Sequence, residues 1–258
     1  MKIKFIGVGS AFTSPDYYQS NMLITAKSDK RLLLDCGSDA RFALAESKIE
    51  SRNLCEALDA IYISHLHADH IGGMEWLAFS TYFSLQHKKL MLFMEKQQMQ
   101  DLWEQSLKGG LERLEGQITH LTDYFDCHPL AENDTFNWEG IQATLVKMPH
   151  VITGQINHHS YGLLLREATG PGIFISTDTQ FRPNLIAEIA EKAEVIFHDC
   201  ETSPFKTPVH AHYNELKTLP PTLKQKMWLY HYQPQPNYHP QVDGFKGFVA
   251  KGQEFEFS

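Results

Sequence analysis

The chain has little of what would assign it to a special class. Its 258 residues hold four cysteines, Cys36, Cys55, Cys127 and Cys200, and none are spaced C-x-x-C. That excludes a disulfide framework and reads as reduced thiols. No apolar run approaches the ~18–20 residues of a membrane span, so no membrane partner is expected. The opening MKIKFIGVGS lacks an apolar h-region and a cleavage signal, which predicts a cytoplasmic protein. Cationic charge is in the minority, with Lys+Arg 23 against Asp+Glu 31 and a net charge of −8. Gripping long nucleic acid takes a basic footprint, so no such partner is expected. A small anion held by metal ions remains open, because local charge can oppose net charge. Linkers, low-complexity segments and internal repeats are all missing. The chain therefore reads as one domain, 1–258, in an α/β class.

Short apolar runs mark strands at KIKFIGVGS, Asn21–Ala26, Arg31–Leu34, Ala60–Ser64 and Lys89–Phe93. Helical spacing is expected over 39–49, 71–84 and 95–107, the last ended by Gly109-Gly110. Residues 117–148 carry short β-like runs. Ser160–Arg166 and Gly172–Ser176 read as a strand pair. Pro183 opens a helix to about Lys192, and Val195–Phe197 and Met227–Tyr230 are further strands. The tail from Gln233, with three prolines, reads as extended or turned.

What is abundant is histidine, fourteen in all. His65-Leu66-His67-Ala68-Asp69-His70 puts four donors into six residues at the end of an apolar strand. Residues 65 and 67 alternate, so both imidazoles can face one point; Asp69 and His70 follow as the chain turns and can face a second. One ion cannot easily take all four from so short an arc, whereas two adjacent ions can. Further donors also follow strands: Asp35 after LLL, His150 after LVKMP, Asp178 after IFIST and His231 after MWLY. Strand ends are where open α/β sheets place their sites.

This order of motifs resembles the metallo-β-lactamase superfamily over nearly the whole chain, from GVGSAF to LYHY. The resemblance implies an αββα sandwich of two mixed β-sheets with helices on the outer faces. It implies two divalent metal ions. His65, His67 and His150 would hold the first; Asp69, His70 and His231 the second; and Asp178 would bridge them. Asp35 would support the metal loop by hydrogen bonds. Zinc is the default for this N/O donor set, with manganese or iron also suited.

Two more segments, Phe197–Thr202 (FHDCET) and His210–Leu216 (HAHYNEL), resemble the ribonuclease Z branch and its cyclic-nucleotide phosphodiesterase relatives, including the anti-Pycsar phosphodiesterase group. There a strand-end acid pairs with a histidine that protonates the leaving oxygen. The catalytic set expected is Asp199 as that acid, His212 as proton donor with His210 in reserve, and Asp69 at the metal edge. Only 28 residues separate positions 150 and 178, too few for the long basic arm that clamps transfer RNA. The expected function is hydrolysis of a small phosphodiester, a 3′,5′-cyclic nucleotide, to a nucleoside monophosphate by a homodimeric enzyme. The alternatives are a thioester or lactone hydrolase and a ribonuclease Z-type endonuclease. Tyr17–Asn21, near the sheet edge, are read as loop packing that could also meet a base or ribose. Trp76 and Phe79 are read as core.

Overall fold

The computed structural model describes residues 1–257. In chain order, β1 (Lys2–Phe5), β2 (Met22–Thr25) and β3 (Arg31–Leu34) form an antiparallel meander. Next, β4 (Ala60–Tyr62) and β5 (Leu90–Glu95) add in parallel. A two-stranded hairpin of β6 (Arg113–Leu114) and β7 (Gln117–Ile118) precedes β8 (Phe125–Leu130), which closes this sheet beside β5. The second sheet repeats the plan. Its antiparallel half is β9 (Thr135–Trp138), β10 (Ile141–Ile152), β11 (Asn157–Glu167) and β12 (Ile173–Ile175). Its parallel half continues from β12 through β13 (Val195–Asp199), β14 (Met227–Tyr230) and β15 (Gly247–Phe248). The last strand, β16 (Glu254–Glu256), returns to pair with β1.

Three separate apolar clusters define four layers. One packs the first sheet against helices Ala40–Glu46 and Met74–Tyr82 through residues such as Leu33, Ile61, Leu44 and Leu77. The middle one joins the sheets through Phe5, Tyr62, Leu163, Phe197 and Tyr230. The third packs the second sheet on helix Pro183–Ala190 through Phe174, Ile186 and Ile196. The central parallel strands are buried on both faces, which is why AIY and VIF carry no polar alternation. The expected αββα sandwich with two mixed sheets is observed.

Several elements differ from expectation. The helix foreseen over 71–84 is two pieces, Ala68–Ile71 and Met74–Tyr82, because the chain turns at Gly72-Gly73. The helix that starts at Lys96 does not stop at Gly109-Gly110. It winds as a π-helix over Leu102–Leu107 and ends at Leu111, and Gly110 sits so close to Glu75 that a Cβ would lie 2.1 Å from its carboxylate. The strand pair expected at Ser160–Arg166 and Gly172–Ser176 is observed as β11 and β12, whereas β10 is one continuous strand of 12 residues where short runs were expected, and β15 and β16 are additional. Among the described residues, no helix is long and apolar enough to cross a membrane.

Candidate metal centre and active site

The donors converge where strands of both sheets end. Asp35 follows β3, His65 follows β4, Asp178 follows β12, Asp199 ends β13 and His231 follows β14. His150 lies in β10 at the point where its register with β11 slips between Pro149 and Val151, and a bulge of this kind re-aims a side chain. Three of these turns hold non-glycine residues at positive φ: Asp35 (61°), Thr177 (53°) and His231 (63°). Such backbone costs of order 1–3 kcal/mol each and concentrates at functional sites. The loops lock together by backbone contacts, with His231 N–H donating to Val8 O at 2.7 Å and Cys36 N–H to His70 O at 2.8 Å. Gly37 is required by space: a Cβ there would lie 2.2 Å from Asp69 O.

Two donor sets emerge. In the first, His67 Nδ1 is 3.1 Å from both His65 Nε2 and His150 Nε2, and each of those Nε2 atoms is 3.7 Å from Asp178 Oδ2. In the second, His70 Nε2 is 3.2 Å from Asp69 Oδ2 and 3.3 Å from Asp178 Oδ1. His231 Nε2 is 3.3 Å from the same two oxygens. Donors on an ion with bonds of ~2.0–2.1 Å in tetrahedral geometry stand roughly 3.3 Å apart, so both sets have the spacing of coordination shells. Asp178 offers one oxygen to each. Two atoms of the second set, His70 Nε2 and Asp178 Oδ1, are buried with no hydrogen-bond partner among the described residues. Such orphans are costly unless a cation meets them. The residues present thus fit a pair of metal ions, which these two sets could hold.

The imidazoles are oriented by acceptors on their far sides. His70 Nδ1–H donates to Asp35 Oδ2 at 2.7 Å, and Asp35 also accepts from the backbone N–H and hydroxyl of Ser64, both at 2.8 Å. His150 Nδ1–H donates to Val209 O at 2.8 Å, and His65 Nδ1–H to Ser64 Oγ at 3.0 Å. Each contact points the opposite nitrogen at the cluster, as metal-ligating histidines require. Ser64 and the Val209 carbonyl did not emerge from the sequence. Ser64 could have been suspected from its place directly before the motif; a backbone carbonyl leaves no signal.

The electrostatics divide accordingly. Burial pushes His150 down to about 4 and His65 well below the ordinary histidine range, so both are neutral, the ligating form. Burial opposes charge on His70 and His231 too, but the surrounding carboxylates together outweigh it: Asp178, Asp69 and Asp35 for His70, and Asp178, Asp199 and Asp69 for His231, which rises to about 10. The buried carboxylates thus draw positive charge inward, and bound cations would take the place of those protons.

Beside the donor sets lies Asp199, fully buried and shared between two histidines. Its Oδ2 is 2.8 Å from His210 Nδ1 and its Oδ1 is 3.3 Å from His231 Nδ1. Burial would raise the Asp199 carboxyl, but the His210 charge and hydrogen bond hold it at about 2. His210 is lifted above its ordinary value: burial lowers it, and the Asp199 carboxylate more than compensates. Its ring lies 5.1 Å from that of His150 and 5.0 Å from that of His231.

The structure does not bring His212 into this arrangement, which corrects the choice made from sequence. His212 caps helix Tyr213–Leu216: its Nδ1 accepts from Asn214 N–H at 3.2 Å and its Nε2 meets Ser203 O at 3.1 Å. Both ring nitrogens are thereby used. The signal was present as His212 followed by Glu215 three residues on, a capping-box spacing. Asp199, expected as the partner of a histidine, partners His210. Tyr17–Asn21 act in packing: Tyr18 donates to Glu46 at 2.8 Å, and Asn21 Oδ1 accepts Gly37 N–H at 2.9 Å. Trp76 and Phe79 pack against the first apolar cluster.

The fold is shared with solved structures of low sequence identity. Zn(2+)-bound PqqB from Methylobacterium extorquens superposes with a TM-score of 0.75 at 14% identity, over 99% of this chain and 100% of that one. The metallo-β-lactamase fold protein YhfI from Bacillus subtilis gives 0.73 at 18% identity, with 98% of each chain covered. Human tRNase Z, short form, gives 0.70 at 17%, with 99% of each covered. Closer in sequence are proteins described as "Anti-Pycsar protein Apyc1". The one from Paenibacillus harenae is 33% identical over 234 residues, 90% of each chain. That from Paenibacillus xerothermodurans is 32% identical over 261 residues, 100% of this chain and 98% of its own. The family model "Anti-Pycsar protein Apyc1" matches residues 1–255, and the chain belongs to the anti-Pycsar Apyc1 family.

Proposed function

We propose that the chain is a metal-dependent phosphodiesterase that opens a 3′,5′-cyclic nucleotide to a nucleoside monophosphate. The observation that carries this reading is the Asp199–His210 pair standing against two adjoining metal-donor sets. An alkoxide is a poor leaving group and needs a positioned proton, worth ~10²–10⁴ in rate. A thioester, which expels a thiolate, has no such need.

His65, His67 and His150 would hold one ion, Asp69, His70 and His231 the other, with Asp178 shared. Zinc is the natural occupant, and manganese or iron suits the same donors. When bound, the ions would neutralise phosphate charge and acidify a water. Asp178 would set their separation. Asp35 holds His70 with Nε2 inward. Asp199 orients His210 and keeps its ring protonated; Nε2–H of His210 would pass its proton to the sugar oxygen as the P–O bond breaks. Membership of a family described as anti-Pycsar supports the substrate, because the sequence resembles enzymes that destroy cyclic-nucleotide defence signals. The same resemblance supports a cytoplasmic homodimer, which sedimentation of the purified protein would test.

The test is incubation with cyclic mononucleotides, with and without added Zn²⁺ or Mn²⁺, and chromatography of the products. Metal-dependent appearance of nucleoside monophosphates is expected. Hydrolysis of a lactone or thioester instead, or of transfer-RNA precursors alone, would replace this reading with one of its alternatives.

A further inference from the structure

A cleft of about 560 Å³ opens beside His65 and His67, between the end of β5 and the start of β11. Its volume is in the range of small-ligand sites. Tyr161 lines it with its body in the inter-sheet core, only 6% exposed. Period-2 alternation along β11 puts Tyr161 on the face that carries Leu163 and Leu165 into that core. Its hydroxyl has no hydrogen-bond partner among the described residues, although the backbone carbonyl of Tyr161 accepts from Tyr62 at 2.7 Å. Glu95 lines the cleft too; one oxygen caps the following helix by accepting from Gln98 N–H at 2.9 Å, and no cation pairs with it among the described residues. Further along, Asp101 Oδ1 accepts from Gln97 at 3.1 Å and Gln105 at 3.0 Å. Leu66, Val151 and Ile156 add apolar wall. Among the described residues, no Lys or Arg lines the cleft.

His158 and His159 also line the cleft, but no Lys or Arg stands beside its two carboxylates, and that decides what fits. A second phosphate would enter unpaired and be repelled, whereas a neutral ring can stack on apolar wall and donate hydrogen bonds to the carboxylates. We infer that this cleft takes the uncharged part of the substrate, a nitrogen heterocycle presenting N–H donors, and that Tyr161 and Glu95 determine which heterocycle is preferred. Tyr161 remains a neutral hydroxyl, because burial and then the Glu95 charge oppose its ionisation. The inference deepens the cyclic-nucleotide reading and rests on it for the phosphate's position.

The test is competitive inhibition of nitrophenyl phosphodiester hydrolysis by the metal-loaded enzyme. The competitors are cyclic mononucleotides of cytosine, whose amino group offers two N–H donors beside an acceptor nitrogen, and of uracil, which offers one ring N–H between two carbonyls, and a linear dinucleotide with an added terminal phosphate. The cytosine compound is expected to bind about 10-fold more tightly than the uracil one, a difference of about 1.4 kcal/mol. The compound with the added phosphate is expected to bind at least about 10-fold more weakly. In Glu95→Gln, which can still cap the helix, the cytosine-to-uracil ratio falls toward one and the charge penalty shrinks. Tyr161→Phe, which keeps the buried body, weakens both mononucleotides by several-fold. Ratios of inhibition constants are read, so a change in overall rate does not obscure them. Equal inhibition by both bases in the natural protein, or ratios unmoved by Glu95→Gln, would overturn the inference. Inhibition with the expected ratios but no ring opening would support the cleft assignment and refute the cyclic-nucleotide reading. Ring opening with unmoved ratios would do the reverse.

Discussion

The buried Asp199 carboxylate and the half-buried His210 imidazole form a pair with Oδ2 and Nδ1 2.8 Å apart. The contact occupies one side of the imidazole and leaves Nε2 as its remaining donor. Replacement of His210 by Ala is expected to lower turnover of an alkyl phosphodiester by ~10²–10⁴ while metal content stays normal. Hydrolysis of a nitrophenyl ester, whose leaving group needs no proton, should fall far less. His212→Ala is expected to cost about 1 kcal/mol of stability through loss of its cap, with little selective effect on alkyl substrates. Steady-state kinetics on the two ester classes separate the two histidines; equal losses on both in His210→Ala would remove the acid role.

Asp178 offers Oδ2 to one donor set and Oδ1 to the other. Changing it to Ala should therefore empty both positions together. Elemental analysis after dialysis is expected to show loss of both ions, and turnover should fall to the level of the metal-free protein. A variant that keeps two ions and its activity would refute the bridging assignment.

The ease with which this site reads from sequence depends on how locally each position is determined. His65, His67, Asp69 and His70 are legible because six consecutive residues carry them and the apolar strand before them sets their place. Asp178 and His231 are legible because parallel strands buried on both faces end abruptly in a polar residue. The choice between His210 and His212 was not, because alternation puts both on one side of an extended segment. What separates them is the start of helix Tyr213–Leu216, which turns His212 into a cap. Strand β16 was hidden because its partner, β1, lies at the other end of the chain; the bulge at His150 and the two-residue strand β15 were hidden because each is a slip or short pairing of backbone that leaves no side-chain pattern.

Asp35 touches neither donor set's centre, yet it holds His70 Nδ1 and both polar groups of Ser64. Asp35→Asn keeps the size but can present an N–H where His70 needs an acceptor. Partners of this kind typically carry 10–100-fold in metal affinity. Titration with a chromophoric chelator is expected to show such a loss at the position held by Asp69, His70 and His231, with a smaller effect at the other. Unaltered affinity at both would mean that His70 is oriented by packing alone.

Metal removal should also leave a signature in stability. In the metal-free protein His231 is raised to about 10 and His70 is raised as well, burial being outweighed by the neighbouring carboxylates together, Asp178 foremost. A raised histidine binds its proton more tightly folded than unfolded. Its stabilisation is complete below the unfolded value of about 6.5 and is lost as pH climbs through the folded value. His65 and His150, both depressed, are neutral in either state above about 6.5 and contribute nothing in that window. The chelated protein is therefore expected to weaken by up to about 1.4 kcal/mol per pH unit for each retained proton between about pH 6.5 and 10. With zinc bound the protons of His231 and His70 are already displaced and the raised His210 proton remains, so the loss over the same window should be smaller. Thermal melts at pH 7 and pH 9, with chelator and with zinc, measure it. A chelated protein equally stable at both would mean that the cluster does not hold these protons.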